Sequence, residues 1–230
     1  MLESFMIPWE LLDSAPVPGN GSELRLYKRG AEFSIRADGR ELMNSRVHGS
    51  EDALAELACA RVANRPDPRI LIGGLGMGYT LAAALHRLGA EGQVIVAELV
   101  PAVVAWNAGP LAHLAGHPLQ DSRVAVREAD VGRILEEGPQ HYDAILLDVD
   151  NGPESLTVKS NDWLYTRSGL DAAFAALRPK GVLAAWSAAS SRAFAQRLRR
   201  VGFEVDEVLV RARRPRGGER RTIWIAARGP

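Results

Sequence analysis

The feature that most constrains the fold is a regular alternation of apolar runs and amphipathic segments between residues 69 and 202. Runs such as RILIGGL, QVIVAEL and YDAILLDVD are continuously apolar, which is typical of strands buried on both faces of a parallel sheet. The segments between them, among them TLAAALHRL and SRAFAQRLRRVG, have a helical pattern. The alternation therefore predicts an α/β fold with a doubly wound, mostly parallel sheet.

The two ends of the chain depart from this alternation. Near the C-terminus, VDEVLVRARRP and RTIWIAAR are strand-like runs joined by Arg-Gly-Gly, which predicts an antiparallel hairpin. Near the N-terminus, short alternating runs separated by turn residues predict a small β-meander over residues 23–46. We therefore expect two units, in which residues 1–48 form an irregular lead-in and the meander and residues 49–230 form the α/β domain.

A helix is expected directly after His48, over GSEDALAELACARVAN. Ser50 is a suitable N-cap residue. The acidic residues Glu51 and Asp52 suit the first turn, because the N-terminus of a helix carries a partial positive charge. On this interpretation Glu51 and Asp52 are structural residues.

Glycines and acids at the predicted strand ends indicate a nucleoside site. Gly74, Gly76 and Gly78 stand at alternate positions between a strand and a helix, where glycine lets a ligand approach the backbone. Glu98 ends the second strand, where a carboxylate accepts from ribose hydroxyls, and Asp130 closes the third, where an acid accepts from an adenine amino group. Jointly they favour an adenosine-type ligand over the alternative, a close turn and strand-end acids that hold nothing.

The meander, the glycine loop IGGLGMG, the third-strand READ and the fourth-strand YDAILLDVDNGP together resemble the spermidine synthase-like branch of class I S-adenosylmethionine-dependent transferases. The resemblance covers residues 23–228 and implies a seven-stranded Rossmann-like methyltransferase sheet that ends in the antiparallel hairpin. It implies S-adenosylmethionine or its decarboxylated form as co-substrate, bound by Gly74, Gly76, Glu98 and Asp130. It also implies a homodimer that forms through the meander.

Asp148 and Asp150 are the predicted catalytic residues. The resemblance places Asp148 beside the transferred group, where a carboxylate deprotonates or orients an amine acceptor. The chain departs from the family in three ways: the glycine loop lacks its acid, Asn151 replaces the second fourth-strand acid, and the Tyr-His-Glu after the meander is absent. These departures slightly favour methyl over aminopropyl transfer. A true polyamine aminopropyltransferase and a non-catalytic nucleoside-binding or assembly module remain the alternatives.

The segment after Asp150 is predicted to form a lid that selects a small, amine-containing acceptor. Three predicted substrate-binding residues lie within this segment, namely Asn151, Trp163 and Tyr165. The fourth is Trp186, at the end of a later strand. Each of the three aromatic residues is also suited to anchoring its segment in the core. We therefore keep both interpretations for them.

Composition excludes several classes of protein. The 28 basic and 28 acidic side chains cancel, so the chain has no general attraction to nucleic acid or to anionic lipid. One cysteine and no suitable histidine spacing predict neither disulfides nor a metal site. No apolar run reaches the roughly 20 residues that a membrane span needs and the N-terminus does not resemble a signal peptide, so we expect a cytoplasmic protein. The seven arginines in residues 211–228 favour a solvated hairpin over a site for RNA or a phosphorylated acceptor.

Overall fold

The structure is a computed structural model that describes residues 7–19, 21–149, 159–212 and 218–230. Its strands form a four-stranded and a seven-stranded sheet. The predicted α/β fold, with its mostly parallel sheet, terminal hairpin and N-terminal antiparallel unit, is confirmed. Asp150 and Asn151, which the sequence places at the candidate site, lie outside the described residues.

The N-terminal sheet is an antiparallel meander with its strands in chain order. They are β1 (Glu10–Pro16), β2 (Glu23–Arg29), β3 (Glu32–Ala37) and β4 (Arg40–Asn44). Strand β1 corrects the expectation of an irregular lead-in, because it pairs with β2 from Glu10 opposite Lys28 to Pro16 opposite Glu23. Nearly all of its residues are exposed on both faces, so no apolar alternation marks it in the sequence.

The seven-stranded sheet combines five parallel strands with an antiparallel hairpin. Its strands are β5 (Arg69–Gly73), β6 (Gln93–Glu98), β7 (Val124–Glu128), β8 (Tyr142–Leu147), β9 (Leu177–Ser187), β10 (Glu204–Arg211) and β11 (Arg220–Ala227). They lie in the order β10-β11-β9-β8-β5-β6-β7. The chain leaves β5 towards β6 on one side and later returns to add β8 on the other. Open α/β sheets bind ligands in the crevice that such a reversal of strand order creates.

Helices cover both faces of this sheet. They are α1 (Gly49–Val62), α2 (Tyr79–Arg87), α3 (Pro101–Ala108), α4 (Val131–Leu135), α5 (Arg167–Ala176) and α6 (Arg192–Val201). Helices α1 to α3 share one apolar cluster with the meander, and α4 to α6 form a second cluster on the opposite face. Leu26 of β2 and Leu54 of α1 are both fully buried in the first cluster. The meander therefore packs into the core of the larger sheet, and the division at residue 48 stays a prediction.

The start of α1 differs from the sequence-based expectation. His48 is the N-cap residue and contributes no side-chain capping bond. Ser50 lies inside the first turn, where its hydroxyl donates to a carboxylate oxygen of Glu51 at 2.6 Å, so the predicted Ser50 cap was wrong. Within the described ranges, no helix combines the length and apolar composition needed to cross a bilayer.

Candidate functional site

The glycine loop, Glu98 and Asp148 meet at the carboxyl edge of the seven-stranded sheet, as the sequence predicted from the strand ends. The Gly74 N–H donates to the carbonyl of Ala97 in β6 at 2.9 Å. The Asp148 N–H donates to the carbonyl of Gly73 in β5 at 2.9 Å. These two bonds fix the end of β5 between β6 and β8, so that the side chains which follow the three strands face a common region.

The three loop glycines have different neighbours in the structure. A Cβ atom on Gly74 would lie 2.5 Å from the carbonyl oxygen of Asp148, and one on Gly78 would lie 3.0 Å from Oδ1 of Asn107. A side chain at position 74 or 78 would collide with these protein atoms, so packing within the protein already explains both glycines. Gly76, with φ of +53°, instead has the side chain of Met43 above it. Their predicted contacts with a nucleoside stay predictions.

Glu98 fastens the glycine loop to the end of β6. One carboxylate oxygen accepts from the Leu75 N–H at 2.9 Å, and the other accepts from the Val100 N–H at 2.9 Å. The side chain is 8% exposed. Glu98 therefore has a structural role at the end of β6, and its predicted contact with ribose hydroxyls stays a prediction.

Asp130 and Trp163 lie together at the start of α4. Oδ1 of Asp130 accepts from the Gly132 N–H at 2.8 Å, which makes Asp130 the N-cap of that helix. A Cβ atom on Gly132 would lie 3.1 Å from the six-membered ring of Trp163, so the indole covers the same helix start. Asp130, which is predicted to bind the nucleoside, and Trp163, which is predicted to bind the substrate, therefore lie at the same helix start. Their contacts with ligands remain predictions.

Two carboxyl groups share a small cavity beside the glycine loop. The cavity has a volume of about 10 Å³, roughly what one water molecule needs. It is lined by Met43, Asn44, Glu51, Leu75, Met77, Tyr79, Thr80 and Asp148. Within this described lining no side chain is basic, although the nearby His48 favours the ionised form of Glu51 and acts to lower its pKa.

The surroundings of Asp148 favour its protonated form. Burial and the neighbouring Glu51 carboxylate raise the pKa of Asp148 to about 7, although a hydrogen bond from Thr80 acts in the opposite direction. The Thr80 hydroxyl donates to Oδ2 of Asp148 at 2.6 Å. Burial also raises the pKa of Glu51. The pair is therefore poised to gain or lose a proton near neutral pH, which is the property that acid–base chemistry requires.

Glu51 is the site residue that the sequence analysis assigned to another role. Its sequence position predicts a first-turn helix acid, and the structure places it in that turn and on the cavity. The order of the elements could have indicated that Glu51 lies at the site. Helix α1 precedes β5 and returns into it, so its first turn lies near the carboxyl edge where β5 ends. Thr80 and Met43 were also missed, because neither residue type is by itself indicative of a site.

The predicted aromatic substrate residues do not line this cavity. Tyr165 is 3% exposed and packs edge-to-face on Phe194, with ring centroids 5.6 Å apart. Its side chain therefore anchors the segment in the core. Trp186 is partly buried, and the guanidinium of Arg221 lies 5.6 Å from the centre of its ring. The roles of these two residues in substrate binding stay predictions.

Within the described part of the chain, no group of three or more histidine, cysteine, aspartate or glutamate side chains is arranged to hold a metal ion. Burial raises the pKa of Tyr79 to about 12, so its hydroxyl stays protonated and donates to the Ser45 carbonyl at 3.2 Å.

Solved structures of known proteins have the same architecture. Spermidine synthase from Thermotoga maritima aligns with a TM-score of 0.72 at 17% identity, covering 95% of this chain and 73% of that one. A spermidine synthase in complex with the transition state analogue AdoDATO gives 0.72 at 17%, with 95% and 72% covered. A probable spermidine synthase from Corynebacterium glutamicum gives 0.64 at 15%, with 95% and 79% covered.

No model of a protein family and no curated protein sequence matches the chain. The structural similarity nevertheless covers 95% of this chain and so includes both the four-stranded and the seven-stranded sheet. The chain has a spermidine synthase-like fold. The resemblance inferred from the sequence is confirmed at this level.

Proposed function

We propose that the protein is a transferase that moves an alkyl group from the sulfonium of S-adenosylmethionine, or of its decarboxylated form, to a small amine. The observation that carries the proposal is the pair of Glu51 and Asp148 in one cavity beside the glycine loop. Two carboxyl groups with no basic neighbour in the described lining suit a cationic occupant. The cavity has the size of an ammonium head group.

The chemistry follows from the two protonation states of an amine. An ammonium ion has no lone pair, so it must first lose a proton to the carboxylate pair. The nitrogen lone pair then forms a bond to the carbon that is attached to sulfur. The carbon–sulfur bond breaks, and its electron pair stays on sulfur, which becomes a neutral thioether. Asp148 is suited to accept the proton because its pKa of about 7 is close to neutral pH.

One observation supports S-adenosylmethionine as the donor and another supports its decarboxylated form. The incomplete set of acids in the sequence supports methyl transfer from S-adenosylmethionine. The acidic cavity supports the decarboxylated donor, because a carboxylate on the donor would approach Glu51 and Asp148 without a cation among the described lining residues. The complex of a related fold with AdoDATO supports an adenosyl ligand in either case.

Calorimetry with S-adenosylmethionine, its decarboxylated form and 5′-methylthioadenosine tests the proposal. We expect the wild type and Asp148→Asn to bind at least one of them. Glu98→Gln should weaken binding about tenfold or more, because one N–H of the loop and the ribose lose an acceptor. Glu128→Gln is the matched control, since Glu128 is the exposed register partner of Glu98 on β7. If none of the three nucleosides binds, the proposal is wrong.

Turnover with propylamine, putrescine and spermidine then identifies the transferred group. Release of S-adenosylhomocysteine indicates methyl transfer, whereas release of 5′-methylthioadenosine indicates aminopropyl transfer. Asp148→Asn should abolish either product and retain binding. Nucleoside binding without any product from these amines would instead favour a binding module, and normal turnover by Asp148→Asn would contradict its assigned role.

A further inference from the structure

The side chain of Met43 rests directly on the glycine loop. A Cβ atom on Gly76 would lie 2.6 Å from Cε of Met43 and 3.0 Å from its Sδ. Distances this short are incompatible with van der Waals contact, so only glycine at position 76 permits this position of the thioether. Met43 comes from β4 of the meander, and Gly76 follows β5 of the larger sheet. The contact therefore joins the two sheets at the candidate site.

Met43 also restricts the cavity that holds the carboxyl pair. It lines the same 10 Å³ as Glu51 and Asp148, together with Leu75 and Met77. The three apolar side chains leave room for about one water molecule. The thioether of Met43 thus occupies the space between Gly76 and the carboxyl pair. On the proposed function, a chain on the sulfur atom of a donor that reached Asp148 across Gly76 would need that space.

Among the walls of the site, β4 is lightly restrained. It has five residues, is paired with β3, and has an irregular register between Ile35 and Arg36. All five of its residues are exposed or partly exposed. Gly74, in contrast, is held against the backbone of Asp148. A methionine side chain is unbranched and has three rotatable bonds, so it can change its position without a change of fold.

We propose that Met43 is a specificity-determining residue that limits the chain which a donor can extend from its sulfur atom across Gly76. This inference rests on the proposed function. A nucleoside with a short sulfur substituent binds without displacing Met43. A nucleoside with a longer chain binds only to the fraction of molecules in which the thioether has moved. Its apparent affinity is therefore the intrinsic affinity multiplied by that fraction.

Two nucleosides separate this effect from general changes in affinity. S-Adenosylhomocysteine carries an amino-acid chain on sulfur, whereas 5′-methylthioadenosine carries only a methyl group. We expect Met43→Ala to raise the affinity for S-adenosylhomocysteine about tenfold and to leave that for 5′-methylthioadenosine unchanged within about twofold. Leu42→Ala is the matched control, because Leu42 precedes Met43 on β4 and is 39% exposed. It should change neither affinity.

A second variant guards against loss of the fold. Met43→Val removes Sδ and Cε but keeps a residue that favours strands, and it should give the same selective gain. Unfolding in urea checks that each variant is folded. Equal affinities of wild type and both variants for S-adenosylhomocysteine would overturn the inference, as would an equal gain for both nucleosides. If 5′-methylthioadenosine binds normally in those cases, the proposed function stands. Failure of every nucleoside to bind every variant refutes both.

Discussion

Four acidic residues near the carboxyl edge of the sheet are held in three different ways. Glu98 accepts two backbone N–H groups and fixes the glycine loop. Asp130 caps a helix with one oxygen. Glu51 and Asp148 share a cavity, where Thr80 donates to Asp148. All four side chains are carboxyl groups, so their partners decide whether such a group fixes a loop, caps a helix or shares a cavity in which its pKa is raised.

The influence of Glu51 on Asp148 gives a testable prediction at the scale of single residues. Burial and then the Glu51 carboxylate raise the pKa of Asp148, so Glu51→Gln should lower it. A carboxyl group with a lower pKa is ionised at lower pH. The rise of kcat/KM with pH should therefore move to lower pH in this variant.

Titration of the carboxyl carbons by NMR measures the same pKa without a substrate. Glu56→Gln is the control, because Glu56 lies further along α1 and does not line the cavity with Asp148. An unchanged or higher pKa for Asp148 in Glu51→Gln would contradict the prediction.

The site residues that could be predicted from the sequence are those that end a strand or directly follow one. Glu98 and Asp148 end continuous apolar runs, and parallel strands bring such positions to one edge. Glu51 and Met43 reach that edge from a helix and from the meander, whose placement depends on packing. No local pattern reports packing between distant segments, so their part in the site appears only in three dimensions.

At the scale of elements, an ion-pair cluster organises the opposite edge of the sheet. Asp143 near the start of β8 is fully buried. Its carboxylate accepts from Arg178 at 2.9 Å, from Arg65 and from the backbone N–H of Arg69 at 2.8 Å. These partners belong to the loop after α1, the start of β5 and the early part of β9. One carboxylate thus connects three segments at the edge away from the candidate site.

Loss of this connection should lower stability without affecting binding. Asp143→Ala leaves two arginines without their partner and should reduce the free energy of unfolding in urea by about 3 kcal/mol. Nucleoside affinity should remain unchanged, because the cluster lies at the other edge. Asp171→Ala removes an exposed i,i+4 pair with Arg167 and should cost about 0.5 kcal/mol or less. If both variants lost the same free energy of unfolding, the Asp143 cluster would stabilise the fold no more than an exposed ion pair does.

At the scale of the whole molecule, the outer edge of β1, which pairs with no strand other than β2 in the described part of the chain, supports the proposed homodimer. Ile7, Leu11 and Leu12 are 61%, 51% and 37% exposed and lie in or just before this strand. Apolar side chains on an unpaired strand edge favour association with another chain. We propose that the partner is a second copy, as the resemblance implies.

Sedimentation velocity at micromolar concentration should therefore give a dimer. Leu11→Lys should shift it to monomer, because a charge at the edge opposes pairing of strands. Leu209→Lys is the control, since Leu209 is 60% exposed on β10 of the other sheet. A monomeric wild type, or dissociation by Leu209→Lys alone, would refute the proposed surface.

The order of strands in the meander has a mechanical consequence. β1 and β4 are the two outer strands of one hydrogen-bonded unit, and three strand spacings of about 4.8 Å separate them by about 14 Å. A dimer formed through β1 would have its contact at one side of this sheet and Met43 at the other. Backbone hydrogen bonds connect the four strands, so on the two proposals made above a displacement of β1 on assembly would also move the side chain above Gly76.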